Sequence, residues 1–177
     1  MNRIVTLVVG SLLAGALAGT AGCDVDPMKG YSTRSQYVQG VKTVFVPIWQ
    51  RGRNVYRREL EKRLTEAVIK RMELDTPYKQ TDKSRADTEL TGTLERISQR
   101  VLSYNPDSGL PREKEIVILV SYKWTDLRNG KVLAQGRVTE SGVYIPPAPL
   151  DEDFFQGSED VINKLAKRVV EKMEASW

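Results

Sequence analysis

The sequence predicts an α/β fold of the α+β type, with its elements in the order β-α-β-β-β-α. Strand-like segments between residues 86 and 144 follow one another through short turns, which indicates antiparallel pairing. Two stretches, after Asn54 and after residue 151, carry apolar residues at three- and four-residue spacing and predict helices. The simplest packing places both helices on one face of a four-stranded mixed, mostly antiparallel sheet. Apolar residues at 40% and charged residues at 28% are typical of a folded globular domain.

The N-terminus has the pattern of a bacterial lipoprotein signal peptide. Residues 1–22 combine a positively charged start, an apolar stretch and a small-residue end, and Cys23 follows directly. Cleavage before Cys23 would leave the only cysteine of the chain free to carry lipid. The alternatives are an uncleaved membrane anchor over residues 4–22 and a plain secreted protein. Residues 23–40 are polar and predict a lipidated, flexible tether that reaches at most about 55 Å.

The domain itself, at residues 41–177, begins with a strand and a helix. Residues 41–48 are rich in β-branched side chains and predict the first strand. Asn54 is placed to cap a helix that Thr76 and Pro77 end. Its other face carries charges of both signs, as expected of a solvated helix surface. The apolar face of this helix contains Tyr56, Leu60, Leu64, Ala67, Val68 and Met72.

Three strands and a final helix follow. Residues 86–102 alternate well enough to predict one long, bulged strand, which the turn residues 105–109 reverse. Residues 115–127 form the third strand, and an Asn-Gly hairpin leads to the fourth at 132–144. In the third strand one face holds Ile116, Ile118, Val120, Tyr122 and Trp124, and the other holds Val117 and Leu119, so we expect cover on both sides. The acidic segment 151–153 opens the last helix, whose apolar residues are Phe155, Val161, Ile162, Leu165, Val169, Val170 and Met173.

Catalytic chemistry has little support in this composition. The chain has no histidine, which excludes Ser-His-Asp and Cys-His catalysis, and it contains no Gly-rich phosphate loop. Carboxylate pairs such as Asp151 with Asp153, or Asp82 with Asp87, are better explained by helix starts and turns. We therefore expect no enzyme activity and no cofactor other than covalent lipid on Cys23.

The net charge of +4 and the pI near 9.2 indicate an anionic partner. Export makes nucleic acid an unsuitable partner. The anions of the cell envelope are lipid headgroups, lipopolysaccharide phosphates and peptidoglycan, and the charge alone does not select among them.

Several short motifs together resemble the LptE family of lipopolysaccharide-assembly lipoproteins. The resemblance covers nearly the whole mature chain and rests on Gly30-Tyr31, VKTVFVPI at 41–48, LEKRLTEA at 60–67, ADTELTG at 86–92, LSYN at 102–105 and DLRNGKVL at 126–133. It implies two helices against a four-stranded sheet. It also implies an outer-membrane lipoprotein on the periplasmic face, which plugs the LptD β-barrel, aids its assembly and contacts lipopolysaccharide.

Two features depart from the family pattern. Many relatives have Pro-x-Phe-x-Asn after the first strand, where residues 47–51 read PIWQR. Asp24 follows the lipid cysteine and is an inner-membrane retention signal in some bacteria, so the inner membrane is not excluded. The rival function is an envelope lipoprotein that regulates peptidoglycan synthesis or forms part of a secretion pore, because such proteins also open with a Val-x-Val-x-Pro strand and a charged helix.

One end of the predicted sheet holds the candidate lipopolysaccharide-binding residues. In an up-and-down run of strands, the loop from residue 104 to 114 lies beside the end of the last strand. This end brings Arg100, Arg112 and Lys114 close to Tyr104, and the apolar side chains of Leu110 and Tyr144 accompany them. Cations beside apolar groups suit phosphorylated sugars that carry lipid chains. The alternative is that Arg112 and Lys114 only solvate the hairpin and pair with Glu113 and Glu115.

Overall fold

The computed structural model describes residues 36–146 and 154–174. This part of the chain forms an α+β fold, as predicted, with two helices and with six strands instead of four. The signal peptide, Cys23, most of the tether and the acidic segment 151–153 lie outside the described residues. The elements are β1 (Thr43–Phe45), β2 (Gln50–Arg51), α1 (Leu60–Asp75), β3 (Lys79–Gln80), a 3₁₀ turn (Lys83–Arg85), β4 (Thr88–Tyr104), β5 (Pro111–Asp126), β6 (Val132–Tyr144) and α2 (Phe154–Glu171).

All six strands belong to one mixed sheet. The order is β3-β1-β4-β5-β6, and β2 also pairs with β4, further along the edge that β1 uses. The long strands β4, β5 and β6 form the predicted antiparallel meander, while β1 runs parallel to both β3 and β4. The two-residue strands β2 and β3 are the additional strands that the sequence did not predict.

The prediction of one continuous first strand at residues 41–48 is wrong. The chain pairs as β1, leaves the sheet, and returns as β2. The interruption has two causes: Pro47 has no N–H to donate, and Trp49 turns inward. Trp49 lies directly over Gly92, where an added Cβ would be 2.3 Å from the indole ring, and its backbone N–H donates to Thr65 Oγ1 over 3.0 Å.

Helix α1 begins six residues later than its predicted cap at Asn54. Glu59 precedes it in the left-handed region, at φ 75°, and Tyr56 is 89% exposed instead of packed. The reason is that Gly52 N–H donates to the Leu94 carbonyl over 2.8 Å, which holds the preceding loop against β4. The predicted end of the helix is confirmed, since the N–H and hydroxyl of Thr76 both donate to the carbonyl of Met72.

The long bulged strand is confirmed as β4, with register shifts after residues 94, 101 and 103. Its partner β5 begins at Pro111, four residues before the predicted start, because the hairpin stays paired almost to its turn. The first two shifts leave Glu95 and Leu102 of β4 unpaired and change which side chains of β4 face the helices, and the third leaves Arg112 of β5 unpaired.

The core lies between the helices and one face of the sheet. The predicted row of β5 from Ile116 to Trp124 is buried, and so is the predicted apolar stripe of the last helix except Phe155, which is partly buried while its neighbour Phe154 enters the core. The opposite face of β5 carries Val117 and Leu119, which are only half-buried, and no helix of the described part covers them. The predicted cover on both sides of β5 is therefore not found. We call this second face the open face.

Asp87 fixes the start of β1 to the start of β4. Its carboxylate accepts hydrogen bonds from the backbone N–H groups of Lys42 and Thr43, over 2.9 and 3.0 Å, and from the Thr43 hydroxyl. These donors, the Lys42 N–H first, lower the pKa of Asp87 below its usual value.

Asp126 completes this arrangement at the same end of the sheet. Arg128 donates to its carboxylate from Nη2 over 2.8 Å, from Nε and from the backbone N–H, and donates from Nη1 to the carbonyl of Gly40. The Arg128 side chain, followed by its backbone N–H, lowers the pKa of Asp126 to about 2. We call Gly40, Lys42, Thr43, Asp87, Asp126 and Arg128 the N-terminal clasp.

Replacement of Leu165 tests the packing of α2. Leu165 is fully buried, so Leu165→Ala should lower the free energy of unfolding by about 2–5 kcal/mol through lost burial and an unfilled cavity. Leu74→Ala is the matched control, because Leu74 is 70% exposed on α1 and its loss should cost less than about 0.5 kcal/mol. Urea denaturation measures both. Equal unfolding midpoints for the two variants would contradict the packing of α2 on the sheet.

Acid titration of stability tests the clasp. Folding holds the pKa of Asp126 below its ordinary value of 3.8, so its carboxylate stabilises the fold at neutral pH, and this contribution is lost as the pH falls from about 4 to about 2. Asp126→Asn should therefore be less stable than wild type at pH 7, with a difference that shrinks towards pH 2. Denaturation midpoints of both proteins across this pH range measure the difference in stability. Asp107→Asn, in an exposed turn, is the control, and a gap independent of pH would refute this role.

Candidate functional site

The hairpin of β4 and β5 extends beyond the helices as an arm. None of residues 98–115 is buried, whereas buried residues line both strands closer to the core. The tip is closed by the Asn105 N–H, which donates to the Leu110 carbonyl, and by the Gly109 N–H, which donates to the Asn105 carbonyl, each over 2.8 Å. Gly109 adopts φ 67°, which glycine tolerates without strain. We call residues 98–115 the hairpin arm.

The structure divides the four predicted binding residues between the two faces of the arm. Lys114 pairs with Val101 on one side and with Tyr144 on the other, in the row that faces the helices, whereas Arg112 is the unpaired residue at a register shift nearer the tip. Arg100 pairs with Glu115 on the open face. Tyr104 is the exposed last residue of β4.

The ionic state of these cations differs. Arg100 Nε donates to a carboxylate oxygen of Glu115, so its charge is already compensated. Glu113 accepts a hydrogen bond from the Ser103 hydroxyl over 3.0 Å. Among the described residues, Arg112 and Lys114 form no ion pair, and the predicted alternative pairing with Glu113 and Glu115 is not found. These two are the cations of the arm that a ligand would find uncompensated.

Apolar side chains are exposed around the same end. Tyr104 and Leu110 belong to this group, as the sequence indicated, and Leu102, Val143 and Ile145 join them. Together they are five of the nine large apolar residues that are exposed in the described part of the chain. Leu102 was missed because it sits at a bulge, where simple alternation fails, and Val143 because its place opposite Glu115 follows only from the register.

Tyr144 joins the arm to the body. Its hydroxyl accepts a hydrogen bond from Gln99 Nε2 over 3.1 Å. Its ring lies against Gly157 in the first turns of α2, where an added Cβ would come within 2.5 Å of it. The base of the arm is therefore fixed to α2 by a contact that only glycine permits.

The open face is polar and carries two shallow grooves, with volumes of about 810 and 570 Å³. The larger groove is bordered by Pro47 and Ile48, and the smaller lies at the base of the arm between Ser98 and Ser141. Both are lined mainly by hydroxyl, amide and charged side chains: Thr91, Thr93, Ser98, Arg100, Glu115, Ser121, Lys123, Gln135, Arg137, Thr139 and Ser141.

No group of three or more His, Cys, Asp or Glu side chains within the described ranges is arranged to hold a metal ion. No helix in these ranges has the length and apolar character needed to cross a membrane. Cys23, the predicted lipidation site, lies outside them.

Fold and site together define an α+β scaffold with one packed face, one polar face and an arm that presents unpaired cations beside apolar side chains. The family model described as "LptE: Lipopolysaccharide-assembly" matches residues 41–176. The chain belongs to the LptE lipopolysaccharide-assembly family, as the sequence motifs indicated.

Several solved structures are similar to this chain at low sequence identity. A hypothetical protein from Chlamydia trachomatis aligns with a TM-score of 0.51 at 8% identity, over 75% of this chain and 93% of that one. The PelC dodecamer of Paraburkholderia phytofirmans has a TM-score of 0.49 at 15% identity, over 81% and 96%. Rare lipoprotein B of Shewanella oneidensis has 0.41 at 15%, over 75% and 90%. No curated protein shows significant similarity to the sequence.

Proposed function

We propose that this protein is a lipid-anchored lipoprotein of the outer membrane, on its periplasmic face, that assists lipopolysaccharide transport and assembly at the cell surface. Family membership supports the assembly role. The pattern of residues 1–23 supports export and covalent lipid on Cys23. Asp24 leaves the inner membrane as the alternative location. The role requires binding and scaffolding, and it involves no catalytic step.

The proposed protein partner is an LptD-like β-barrel that the domain plugs. The open face supports this, because the lumen of an outer-membrane barrel is polar and water-filled and would accept a surface of hydroxyl, amide and charged groups. The half-buried Val117 and Leu119 are the apolar centre of this face. If the open face were mainly apolar, a further helix or sheet would have to cover it.

The proposal that the protein contacts lipopolysaccharide rests on the two cations of the arm that have no ion-pair partner among the described residues. Arg112 and Lys114 lie near one another on β5, without ion pairs among the described residues, at the end of the sheet where Tyr104, Leu110 and Ile145 are exposed. Guanidinium and ammonium groups donate charge-assisted hydrogen bonds to phosphate, and the apolar side chains offer contact to acyl chains. Arg100 is a weaker candidate, because a ligand would have to displace Glu115.

Purification from membranes tests the assembly role against its rival. The full-length protein, extracted in detergent, should bring with it an outer-membrane β-barrel that changes mobility on heating. A penicillin-binding protein, or a ring of copies of this chain alone, would contradict the proposal and favour peptidoglycan regulation or a secretion pore. Mass spectrometry of the same sample examines the anchor, since an unmodified Cys23 would contradict lipidation.

Charge reversal on the arm tests lipopolysaccharide contact. Arg112→Glu with Lys114→Glu should weaken lipopolysaccharide binding at least about tenfold at low salt, because two charge-assisted contacts become repulsive, with a smaller effect at high salt. The matched control is Lys79→Glu with Lys131→Glu, two exposed lysines outside the arm. Binding is measured on immobilised lipopolysaccharide, with circular dichroism to verify the fold. Unchanged binding by a folded arm variant at low salt would remove this site from the proposal.

A further inference from the structure

The excess positive charge of the chain is concentrated in one loop. The 27 basic and 23 acidic residues leave a net charge of +4. Residues 51–58, with the sequence RGRNVYRR, contain four arginines and no acidic residue, so they account for the whole excess. All four arginines are exposed. We call residues 51–58 the arginine loop.

These arginines are not compensated by the rest of the described structure. Elsewhere most arginines have a carboxylate partner, as Arg63 has in Glu159 at 3.3 Å and Arg168 in Glu140 at 3.1 Å. No ion pair links any arginine of the loop to a described residue. Arg57 instead places its guanidinium 3.8 Å from the ring centroid of Phe154, which leaves its N–H groups available to a further partner.

The loop is held in a defined conformation. Gly52 donates to the Leu94 carbonyl over 2.8 Å, and an added Cβ on Gly52 would lie 2.8 Å from that same oxygen. Val55 is buried and donates to the Gly52 carbonyl, and Glu59 closes the loop at φ 75°. A fixed loop presents its charges with less loss of conformational entropy on binding than a mobile one. The side chain of Tyr56 is exposed between the arginines of the loop.

We propose that the arginine loop docks onto a membrane surface rich in anionic phospholipid. Four like charges with a single exposed aromatic residue suit this partner, because headgroup phosphates attract basic residues and Tyr is favoured at the membrane interface. A stable protein interface would require an apolar centre, but Val55, the only aliphatic residue of the loop, is turned into the core. The loop lies outside the hairpin arm and is a separate surface from it.

The position of the tether allows this docking, a step that rests on the proposed lipid anchor at Cys23. The tether enters beside the C-terminal end of α1, where the Tyr37 hydroxyl donates to the Asp75 carbonyl over 2.6 Å. The arginine loop lies at the opposite end of α1, whose 16 residues span about 24 Å. Residues 23–35 reach at most about 40 Å, which exceeds the length of α1, so this reach allows an anchor at Cys23 and the loop to contact one membrane. A lipid chain and a basic patch are the two signals that together give durable attachment.

Vesicle partitioning tests the loop without the anchor. The mature chain, residues 23–177 with Cys23→Ser in every sample, is sedimented with vesicles of phosphatidylcholine alone or mixed equally with phosphatidylglycerol. We expect salt-sensitive binding to the mixed vesicles only. Arg51→Gln, Arg53→Gln and Arg58→Gln together should reduce the partition coefficient at least about tenfold while keeping the Arg57 stack on Phe154. The control, Lys79→Gln, Lys131→Gln and Lys172→Gln, removes the same charge from exposed positions outside the loop and should change it less than about twofold.

Three results would overturn the proposal. These are equal losses for the two triple variants, equal binding to uncharged vesicles, or no binding by the folded wild-type chain. Competition by soluble polyglutamate as effective as that of phosphatidylglycerol vesicles would assign the loop to an acidic polypeptide instead. Because Cys23 is replaced throughout and no barrel protein is present, failure here is distinguishable from failure of the assembly role.

Discussion

The antiparallel ladder between β4 and β5 is the interaction on which the other elements depend. It runs the full length of both strands and tolerates three register shifts. The outer edge of β4 then accepts β1 and β2, while β5 supplies the central row of the core and the edge for β6. A buried hydrogen bond from Trp124 Nε1 to the Thr88 hydroxyl, 3.0 Å long, ties the two strands together at the core end of this ladder.

Charged side chains at the two ends of this ladder differ: those at the clasp end are paired within the fold, and some of those at the arm end are not. At the clasp end, the buried Asp126 and the half-buried Asp87 have their oxygens satisfied by backbone N–H groups and by Arg128. At the arm end, Arg112 is exposed, Lys114 is half-buried, and neither forms an ion pair with a described residue. Buried charge must be compensated within the fold, whereas exposed charge costs little to leave unpaired. The unpaired cations are therefore where partners with phosphate groups are to be sought.

The sequence predicted the class, the meander, both helices and the core row, because these follow from periodicities of two and 3.6 residues and from strong turn residues. It did not predict β2 or β3, since two-residue strands have no period. The start of α1 was misplaced because Asn54 is a good local cap, and only the long-range contact of Gly52 with Leu94 overrides it. For the candidate site, the sequence placed the cations at one end of the sheet but could not assign their faces: a bulge in β4 sets Arg100 apart from Lys114.

The N-terminal clasp has a mechanical consequence. Any pull between the folded domain and a tethered N-terminus enters the sheet through Gly40 and β1. Strand β1 is hydrogen-bonded to β3 on one side and to β4 on the other, and Asp87 and Arg128 add lateral links. A force directed along β1 loads these links together instead of opening them one after another. The entry point thus distributes tension over neighbouring strands, at the end of the β4–β5 ladder opposite the arm.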